Sequence, residues 1–317
     1  MHIKDAVASK HVPHGDAEIL LAYICGKHRT WILAHEEYVL TPGQERQWNT
    51  FRKRREHGEP IAYITGEKEF FGRSFHVDHS VLIPRPSTEG LVEMILDIFG
   101  NAGGQHSLPR SSTPRLRLEE RGRVTRPYRS AVRIGRGERG YGIPLDTGII
   151  GMYELWGSLG DIQTIVDIGT GSGCIAITLA CELPEIHVIA TDISTAALDI
   201  ARMNAKRHNV ADRIQFLHGD LLEPLCHPTC RPKPWRRLEH SRGAQNPFLV
   251  VSNPPYIPEG EKLPIDVTAY EPLTALYAGS DGLAVLRPLL TAARTHPACR
   301  GFIVECREDQ ENALGKT

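Results

Sequence analysis

The residues most able to do chemistry in this chain are the run Asn253-Pro254-Pro255-Tyr256, which follows the apolar stretch 248–251. That stretch predicts a buried strand, because parallel strands covered on both faces are continuous apolar runs. The prolines cannot continue a strand, so the chain should leave the sheet at the strand's carboxyl end, where open α/β sheets place ligands. The Asn253 amide, the Pro254 carbonyl and the Tyr256 ring would offer two acceptors and a stacking face to a planar group bearing an NH2. A proline turn with an incidental tyrosine is the structural alternative.

A second run, Gly169-Thr170-Gly171-Ser172-Gly173, lies between the apolar stretch 164–168 and a helix pattern. Glycines here would let the backbone turn sharply and approach a ligand closely. The spacing is not the dinucleotide-binding fingerprint, because Cys174 stands where that fingerprint needs a small residue. A second predicted strand ends at Asp192, whose carboxylate can accept both hydroxyls of a ribose, and a third ends near Asp220-Leu221, which could flank an adenine. These strand ends predict a site for a nucleoside-type cofactor.

The elements that must position these runs begin with a helical region over residues 1 to about 57. Apolar residues recur at helical spacing over 16–24, and Thr41-Pro42 predicts the start of another helix, with proline at its first position. The basic run 52–55 is interpreted as a solvated helix end, because no aromatic residues are interleaved with it. A small helical unit is therefore expected ahead of the cofactor site.

A short β segment and a proline-rich segment follow. Residues 69–77 predict a hairpin that turns at Gly72-Arg73. The segment Pro84-Arg85-Pro86 precedes a predicted helix over 91–99. It could close over the pocket, or it could be a rigid linker that ends in an N-capping Ser or Thr.

Composition is that of an ordinary globular enzyme. The chain has 317 residues, 41% of them hydrophobic, and a net charge of -1, which gives no global drive toward nucleic acid or an anionic membrane. No run of apolar residues is long enough to predict a transmembrane helix, and the amino terminus lacks the pattern of a signal peptide. Seven scattered cysteines are typical of reduced thiols in a cytoplasm. Cys226 and Cys230 lack a second ligand pair, so no metal site is predicted.

The stretch 100–147 interrupts these patterns. Ten arginines stand against three glutamates between Pro109 and Gly140, with almost no apolar periodicity. Such a segment buries too little apolar surface to offset its ordering entropy, so a mobile insertion is expected. Contact with RNA phosphates through charge is an alternative. A second irregular stretch, 226–247, is also expected to be a loop.

With these motifs in view, the chain resembles the HemK/PrmC-type protein-(glutamine-N5) methyltransferases, which modify the Gly-Gly-Gln motif of peptide-chain release factors. The resemblance covers most of the chain outside the two insertions. The segments that carry it are, in chain order, residues 16–18, Pro60 to Gly66, Ile83 to Pro86, the glycine loop, Asn253 to Tyr256, Tyr270 to Leu276 and Gly279 to Leu283. The glycine loop is common to many S-adenosylmethionine enzymes, and the Asn-Pro-Pro-Tyr run is shared with DNA adenine methyltransferases. The Pro-Arg-Pro segment together with the helical amino-terminal unit indicates this family.

The resemblance implies an α/β fold with a doubly wound, mostly parallel sheet and a small amino-terminal helical domain. It implies S-adenosyl-L-methionine as cofactor, a release factor as protein substrate, no stable binding of nucleic acid or membrane, and a cytoplasmic location. The expected domains are 1–66, a helical substrate-recognition domain; 67–99, the hairpin and Pro-Arg-Pro linker; 100–160, the insertion; and 161–317, the catalytic domain.

The resemblance also assigns roles to the two runs. Asn253, Pro254 and Tyr256 would be catalytic, and with Pro255 they would bind the substrate amide. The residues expected to bind cofactor are Gly169, Thr170, Gly171, Ser172, Gly173, Asp192, Asp220, Leu221 and Asn253. Asp167 would meet the cofactor's ammonium group or only cap the turn.

Two departures from the family pattern are visible. Ser87 stands where the family usually has Asp, so a polar contact near the pocket is lost or replaced. The family sheet ends in an antiparallel pair that follows the fifth strand, whereas here the predicted fifth strand, 301–305, lies close to Thr317. The final pair is therefore expected to be missing. Five parallel strands in the order 3-2-1-4-5 would then leave Phe302 to Val304 as an open, association-prone edge.

Two other functions stay open at this point. A nucleic-acid N6-adenine or N2-guanine methyltransferase uses the same run on a flipped base, but it would need a basic channel or more stacking aromatics than 7%. The second function is that of an impaired methyltransferase that acts as a binding protein, which the expected loss of strands suggests.

Overall fold

The computed structural model describes residues 1–102, 124–128, 149–156, 162–226 and 246–314. The helices are α1 (Ile3–Val7), α2 (His14–Cys25), α3 (Arg29–Ala34), α4 (Pro42–Glu56), α5 (Ile61–Thr65), α6 (Pro86–Ala102), α7 (Cys174–Glu182), α8 (Thr195–Arg207), α9 (Glu223–Cys226), α10 (Ile265–Thr268), α11 (Leu286–Thr295) and α12 (Glu308–Leu314). The strands are β1 (Glu67–Phe70), β2 (Arg73–His76), β3 (Val124–Tyr128), β4 (Ile149–Leu155), β5 (Thr164–Ile168), β6 (His187–Asp192), β7 (Ile214–His218), β8 (Phe248–Ser252) and β9 (Cys299–Arg307).

The amino-terminal helices α1 to α5 share a hydrophobic core of their own, with Leu20, Leu21 and Trp48 fully buried. The predicted start of α4 is confirmed: Thr41 accepts a hydrogen bond from the backbone of Gln44, whose side chain in turn accepts from Thr41. Such a reciprocal cap satisfies backbone N–H groups that a helix start leaves unpaired.

The predicted hairpin is confirmed, but it turns at Phe71-Gly72 rather than at Gly72-Arg73, because Arg73 pairs with Phe70. One buried side chain of α8 ties the hairpin to the glycine loop. Strands β1 and β2 pair antiparallel. On α8, Asn204 accepts from the His76 backbone N–H at 2.8 Å and donates to the carbonyls of His76 and Ser172. A single amide therefore links the hairpin to the glycine loop.

Among the described residues, the main sheet has seven strands in the order β3-β4-β9-β8-β5-β6-β7. Its last five are parallel. In chain order of these five, the arrangement is 3-2-1-4-5, as predicted. Helices cover both faces over two large apolar clusters, and β5 and β8 are buried along their whole length.

The expected open edge beside the fifth strand is wrong. Strand β4 pairs antiparallel with β9 from Ile149↔Arg307 to Leu155↔Gly301, and β3 pairs antiparallel with β4. An antiparallel pair does lie beside the fifth strand, but the chain supplies it from within the predicted insertion. The physical reason is that a long apolar strand with free N–H and C=O groups pairs with any available strand, and 149–155 reaches it.

The rest of the predicted insertion, and most of the second irregular stretch, lie outside the described residues. Within the described part of the chain, no helix is long and apolar enough to cross a membrane.

Candidate active site

The carboxyl ends of four parallel strands bring the predicted site residues to one edge of the sheet. Ile168, the last residue of β5, is in register with Thr191 on β6 and with Ser252 on β8. Asp192 is in register with His218 at the end of β7. The residues that follow these positions are the glycine loop, Asn253 and Asp220, so the sheet places all of them at this edge.

The glycine loop is held against β6 and open on its other side. The N–H groups of Gly169 and Thr170 both donate to the Thr191 carbonyl, at 2.9 and 3.0 Å. Gly173 needs to be glycine, because its φ is +82° and a Cβ would lie 2.8 Å from Ile177 Cδ1 and 3.1 Å from Ala201 Cβ. At Gly169 and Gly171, by contrast, a Cβ would meet nothing within 4 Å. The loop therefore borders open space at Gly169 and Gly171.

Asp192 is buried beside this loop. Its two carboxylate oxygens accept from the backbone N–H groups of Gly171 and Ser194, each at 2.9 Å. Burial raises the pKa of this carboxyl, and the backbone bonds oppose the rise. Each carboxylate oxygen has a further lone pair, so Asp192 can accept more donors without losing these bonds.

Asp167 lies beneath the loop and is fully buried. Its Oδ2 accepts from Thr170 Oγ1 at 2.7 Å and from the Ala176 N–H at 3.2 Å. Its Oδ1 has no hydrogen-bond partner among the described residues. Burial raises the pKa of Asp167 to about 7. Asp167 thus caps the turn through Oδ2, and its Oδ1 remains free to accept a hydrogen bond.

Asn253 is half-buried at the end of β8, and its amide is held from one side. Its Nδ2 donates to Thr88 Oγ1 at 2.8 Å. No described residue donates to its Oδ1 or to the Pro254 carbonyl. These two acceptors therefore have no donor among the described residues, and their recognition of an NH2 group stays a prediction.

Glu305, on β9, accepts hydrogen bonds from three hydroxyls, one of them the hydroxyl of Thr88 that contacts Asn253. Its carboxylate accepts from Thr88 Oγ1 at 2.9 Å, Tyr256 Oη at 3.0 Å and Ser87 Oγ at 3.4 Å. Only 2% of Glu305 is exposed, and this burial raises its pKa, while the hydroxyls and Arg85 oppose the rise. The pKa of Tyr256 is raised as well, by burial and then by the Glu305 charge.

The Pro-Arg-Pro segment packs against this site through a second carboxylate. Arg85 forms an ion pair with Glu271 at 2.5 Å, and Glu271 also accepts from the Ile83 N–H at 3.1 Å. Ser87 and Thr88, at the start of α6, bond to Glu305 instead of only capping the helix. The segment thus contacts Glu271 and Glu305, and its closure over a pocket stays a prediction.

The remaining predicted residues occupy the rim. Asp220 is exposed after β7, Leu221 has a φ of +45°, and Pro255 is half-buried. Gly219, just before them, donates its N–H to the Asp192 carbonyl at 3.1 Å.

Sequence reasoning missed Thr88, Glu305, Asn204 and Gly282, which contact the predicted residues directly. A Cβ on Gly282 would lie 2.3 Å from the Tyr256 carbonyl oxygen. Of these four residues, Glu305 had a sequence signal that could have revealed it. It is an acid within an apolar strand, and such an acid is rarely buried unless it is hydrogen-bonded.

Comparison with known proteins places the chain in a family. A family model for the PrmC N-terminal domain matches residues 2–66, and one for the methyltransferase small domain matches residues 155–228. The chain is 32% identical to the release factor glutamine methyltransferase of Coxiella burnetii, over 92% of this chain and 78% of that protein. It is 31% identical to that of Koribacter versatilis, over 90% of this chain and 75% of that protein. The chain belongs to the release factor glutamine methyltransferase family. Membership confirms the predicted family and the methyltransferase fold.

Longer proteins also match. The bifunctional methyltransferase of Rickettsia felis is 35% identical over 94% of this chain, but only 48% of that protein is covered. This chain spans about half the length of such relatives.

Proposed function

We propose that this protein transfers a methyl group from S-adenosyl-L-methionine to the side-chain amide nitrogen of the glutamine in the Gly-Gly-Gln motif of a peptide-chain release factor. The observation that carries the proposal is the fixed amide of Asn253. Its NH2 donates to Thr88, so its oxygen and the neighbouring Pro254 carbonyl would offer two acceptors to a substrate at the sheet edge. Family membership supports the same reaction, and a cytoplasmic location would follow from such a substrate.

The residues at the strand ends fit S-adenosylmethionine. The loop at Gly169 and Gly171 leaves space where a side chain would otherwise stand. Asp192 would hold the ribose hydroxyls, and the rim at Asp220-Leu221 would border the adenine. The buried Oδ1 of Asp167, which no described residue satisfies, suits the positive amino group of the methionine part.

When bound, the cofactor supplies a methyl group on a positively charged sulfur, which is open to attack by a nucleophile. An amide nitrogen is a poor nucleophile because its lone pair is delocalised into the carbonyl. Asn253 Oδ1 and the Pro254 carbonyl would each accept one N–H of the glutamine, which orients the nitrogen and favours positive charge on it. As the N–CH3 bond forms, the S–CH3 bond would break and S-adenosylhomocysteine would leave, and the methylated nitrogen would then lose one proton to solvent. Holding the reacting groups in line can supply up to about 7–11 kcal/mol of the barrier reduction.

Tyr256 would close the site from one side. Its hydroxyl is bonded to Glu305, so the ring is held in place and only 9% of the residue is exposed. A ring fixed in this way can stack on a planar amide and exclude water without losing rotamer entropy on binding.

The test is methyl transfer from labelled S-adenosylmethionine to a purified release factor. The control substrate is the same factor with its motif glutamine replaced by alanine, and DNA and ribosomal RNA are assayed in parallel. Label on the intact factor alone is expected. Label on nucleic acid, or on the alanine-substituted factor at the same level, would overturn the proposal.

A further inference from the structure

We propose that Thr88 and Glu305 are positioning residues that decide which end of the Asn253 amide faces the substrate. The inference rests on the proposed function and deepens it, because it concerns how the acceptor pair is produced. Neither residue belongs to the Asn-Pro-Pro-Tyr run: Thr88 is on α6 and Glu305 is on β9.

The hydrogen-bonding capacity of Glu305 sets the direction of the bonds around it. An ionised carboxylate only accepts hydrogen bonds. The hydroxyls of Thr88 and Tyr256 are at 2.9 and 3.0 Å, so each directs its single hydrogen toward Glu305 when that carboxylate is ionised. The Thr88 oxygen then has only lone pairs left for its other neighbour.

That neighbour is the Asn253 amide, 2.8 Å away. Since Thr88 can only accept here, the amide must present its NH2 to Thr88, and its oxygen must point the other way. The opposite orientation would place two acceptors in contact. The direction of one buried hydrogen-bond chain therefore makes Asn253 an acceptor toward the substrate NH2.

The series of hydrogen bonds from Asn253 through Thr88 to Glu305 would lose its fixed direction if Glu305 were neutral. A protonated or amide side chain can donate to Thr88, which frees the Thr88 hydrogen to bond Asn253 Oδ1. The Asn253 NH2 would then face the substrate NH2, two donors in contact. Burial raises the pKa of Glu305, so this neutral form is reached at higher pH than for an exposed glutamate.

Other charged or titratable groups near Glu305 are Arg85, Tyr256 and the Cys306 thiol. Arg85 lowers the pKa of Glu305 through its charge and is itself paired with Glu271. Burial raises the pKa of Tyr256 and that of Cys306, the latter to about 12, so both are harder to ionise than exposed groups of the same type.

The first test compares Thr88→Val, which removes the hydroxyl at nearly constant volume, with Thr88→Ser, which keeps it. Thr178→Val on α7 is the matched control, because that buried hydroxyl has no partner among the described residues. Thr88→Val should lower kcat at least tenfold with an unchanged KM for S-adenosylmethionine, while Thr88→Ser and Thr178→Val stay within about threefold of wild type. Equal kcat values for the Val and Ser variants at Thr88 would overturn the proposal.

The second test is the pH profile of Glu305→Gln. Wild-type kcat should fall on the acid side as Glu305 becomes protonated. The Gln variant should be slow at every pH and should lack that acid limb. A variant that is slow but keeps the wild-type acid limb would assign Glu305 a merely structural role.

A readout without turnover separates this inference from the proposed function. In protein labelled with 15N-asparagine, the side-chain NH2 signals of Asn253 are identified by their loss in Asn253→Ala. They should shift in Thr88→Val and should titrate with pH in wild type but not in Glu305→Gln. If no substrate is methylated while these shifts occur, the proposed function fails and the hydrogen-bond chain stands. If the Asn253 NH2 signals were identical in wild type and Thr88→Val, the proposed series of hydrogen bonds would be refuted, whatever the activity.

Discussion

Asn253 is the side chain on which the proposed reaction depends most directly. Asn253→Ala removes the acceptor proposed to address the substrate amide, so methyl transfer should fall at least a hundredfold, as when one preorganised hydrogen-bond group is removed from other active sites. Cofactor affinity should drop only modestly, because the other cofactor-binding candidates are untouched. Single-turnover transfer and calorimetric titration with S-adenosylhomocysteine measure the two effects separately. Near-normal transfer would remove Asn253 from the mechanism.

A complementary prediction concerns Asp192 and its contribution to cofactor affinity. If its carboxylate accepts the ribose hydroxyls, Asp192→Ala should weaken binding by about 1.5–3 kcal/mol, the range for hydrogen bonds to charged groups. Asp199→Ala is the control, because that aspartate is exposed on α8 and paired only with Arg202 at the surface. Calorimetry that gives both variants the same affinity would place the ribose elsewhere.

The raised pKa of Asp167 predicts how the free energy of unfolding depends on pH. Its pKa is about 7 in the folded protein against an ordinary value of 3.8, so the folded state holds the proton more tightly than the unfolded state. The stability it contributes is full below about pH 4 and is lost as pH rises toward 7. Asp167→Asn, which cannot titrate, should lose less stability over this range. Urea unfolding at pH 4.5 and pH 8 tests this, and parallel losses in both proteins would contradict it.

The loop that follows β8 is shaped by a contact with a glycine from a later turn. Gly282 has a φ of +71°, and a Cβ there would lie 2.3 Å from the Tyr256 carbonyl oxygen and 2.5 Å from Gln310 Nε2. Gln310 Nε2 itself donates to that carbonyl at 2.8 Å. The loop that carries the Asn-Pro-Pro-Tyr run is therefore held by α12 and by the turn before α11, as well as by its own prolines.

Gly282→Ala should consequently reduce methyl transfer by displacing the Tyr256 backbone. Gly260→Ala is the matched control, since Gly260 has a φ of +88° but its Cβ would meet nothing within 4 Å. Both variants carry the backbone penalty of an alanine at positive φ, about 1 kcal/mol. Only Gly282→Ala adds the clash, so it should lose both stability and activity relative to Gly260→Ala. Equal behaviour in thermal melts and transfer assays would show that the loop tolerates the displacement.

The assembly of the sheet shows how distant parts of the chain complete one domain. Strand β4 covers the outer edge of β9, and its buried Glu154 pairs with Arg294 of α11, both Nε and Nη2 lying within 3.1 Å of Glu154 Oε2. Tyr153 and Met152 of β4 are buried in the apolar clusters on the two faces of the sheet. The edge that was expected to be open is thus closed by hydrogen bonds, packing and an ion pair.

Arg294→Ala should loosen β4. Loss of one partner from a buried pair costs about 3–5 kcal/mol, and about 1–3 kcal/mol is expected here because Arg294 stays partly exposed. Arg202→Ala, which removes a surface partner of Asp199, should cost less than about 1 kcal/mol. Hydrogen exchange at the Met152 to Glu154 amides should accelerate in Arg294→Ala alone. Unchanged exchange there would mean that β4 is held without this pair.

Much of the fold could be predicted from the sequence because its signals are local. The apolar runs of β5, β6 and β8 and the glycines after β5 each reflect a backbone requirement met within a few residues. The same holds for Thr41-Pro42 at the start of α4. For this reason the strand ends that bear Asp192 and Asn253 were predicted correctly, and so was the strand order implied by the family resemblance.

What only the tertiary structure decided depends on pairs of residues far apart in the chain. Thr88 and Glu305 are separated by 217 positions, and no local pattern links them. Strand β4 was assigned to an insertion because its neighbours are polar and rich in arginine, yet an unpaired strand edge supplies hydrogen-bonding groups to whatever segment reaches it. Periodicity reports which face of an element is apolar, whereas the partner of a buried polar group or of a free strand edge is decided when the elements pack.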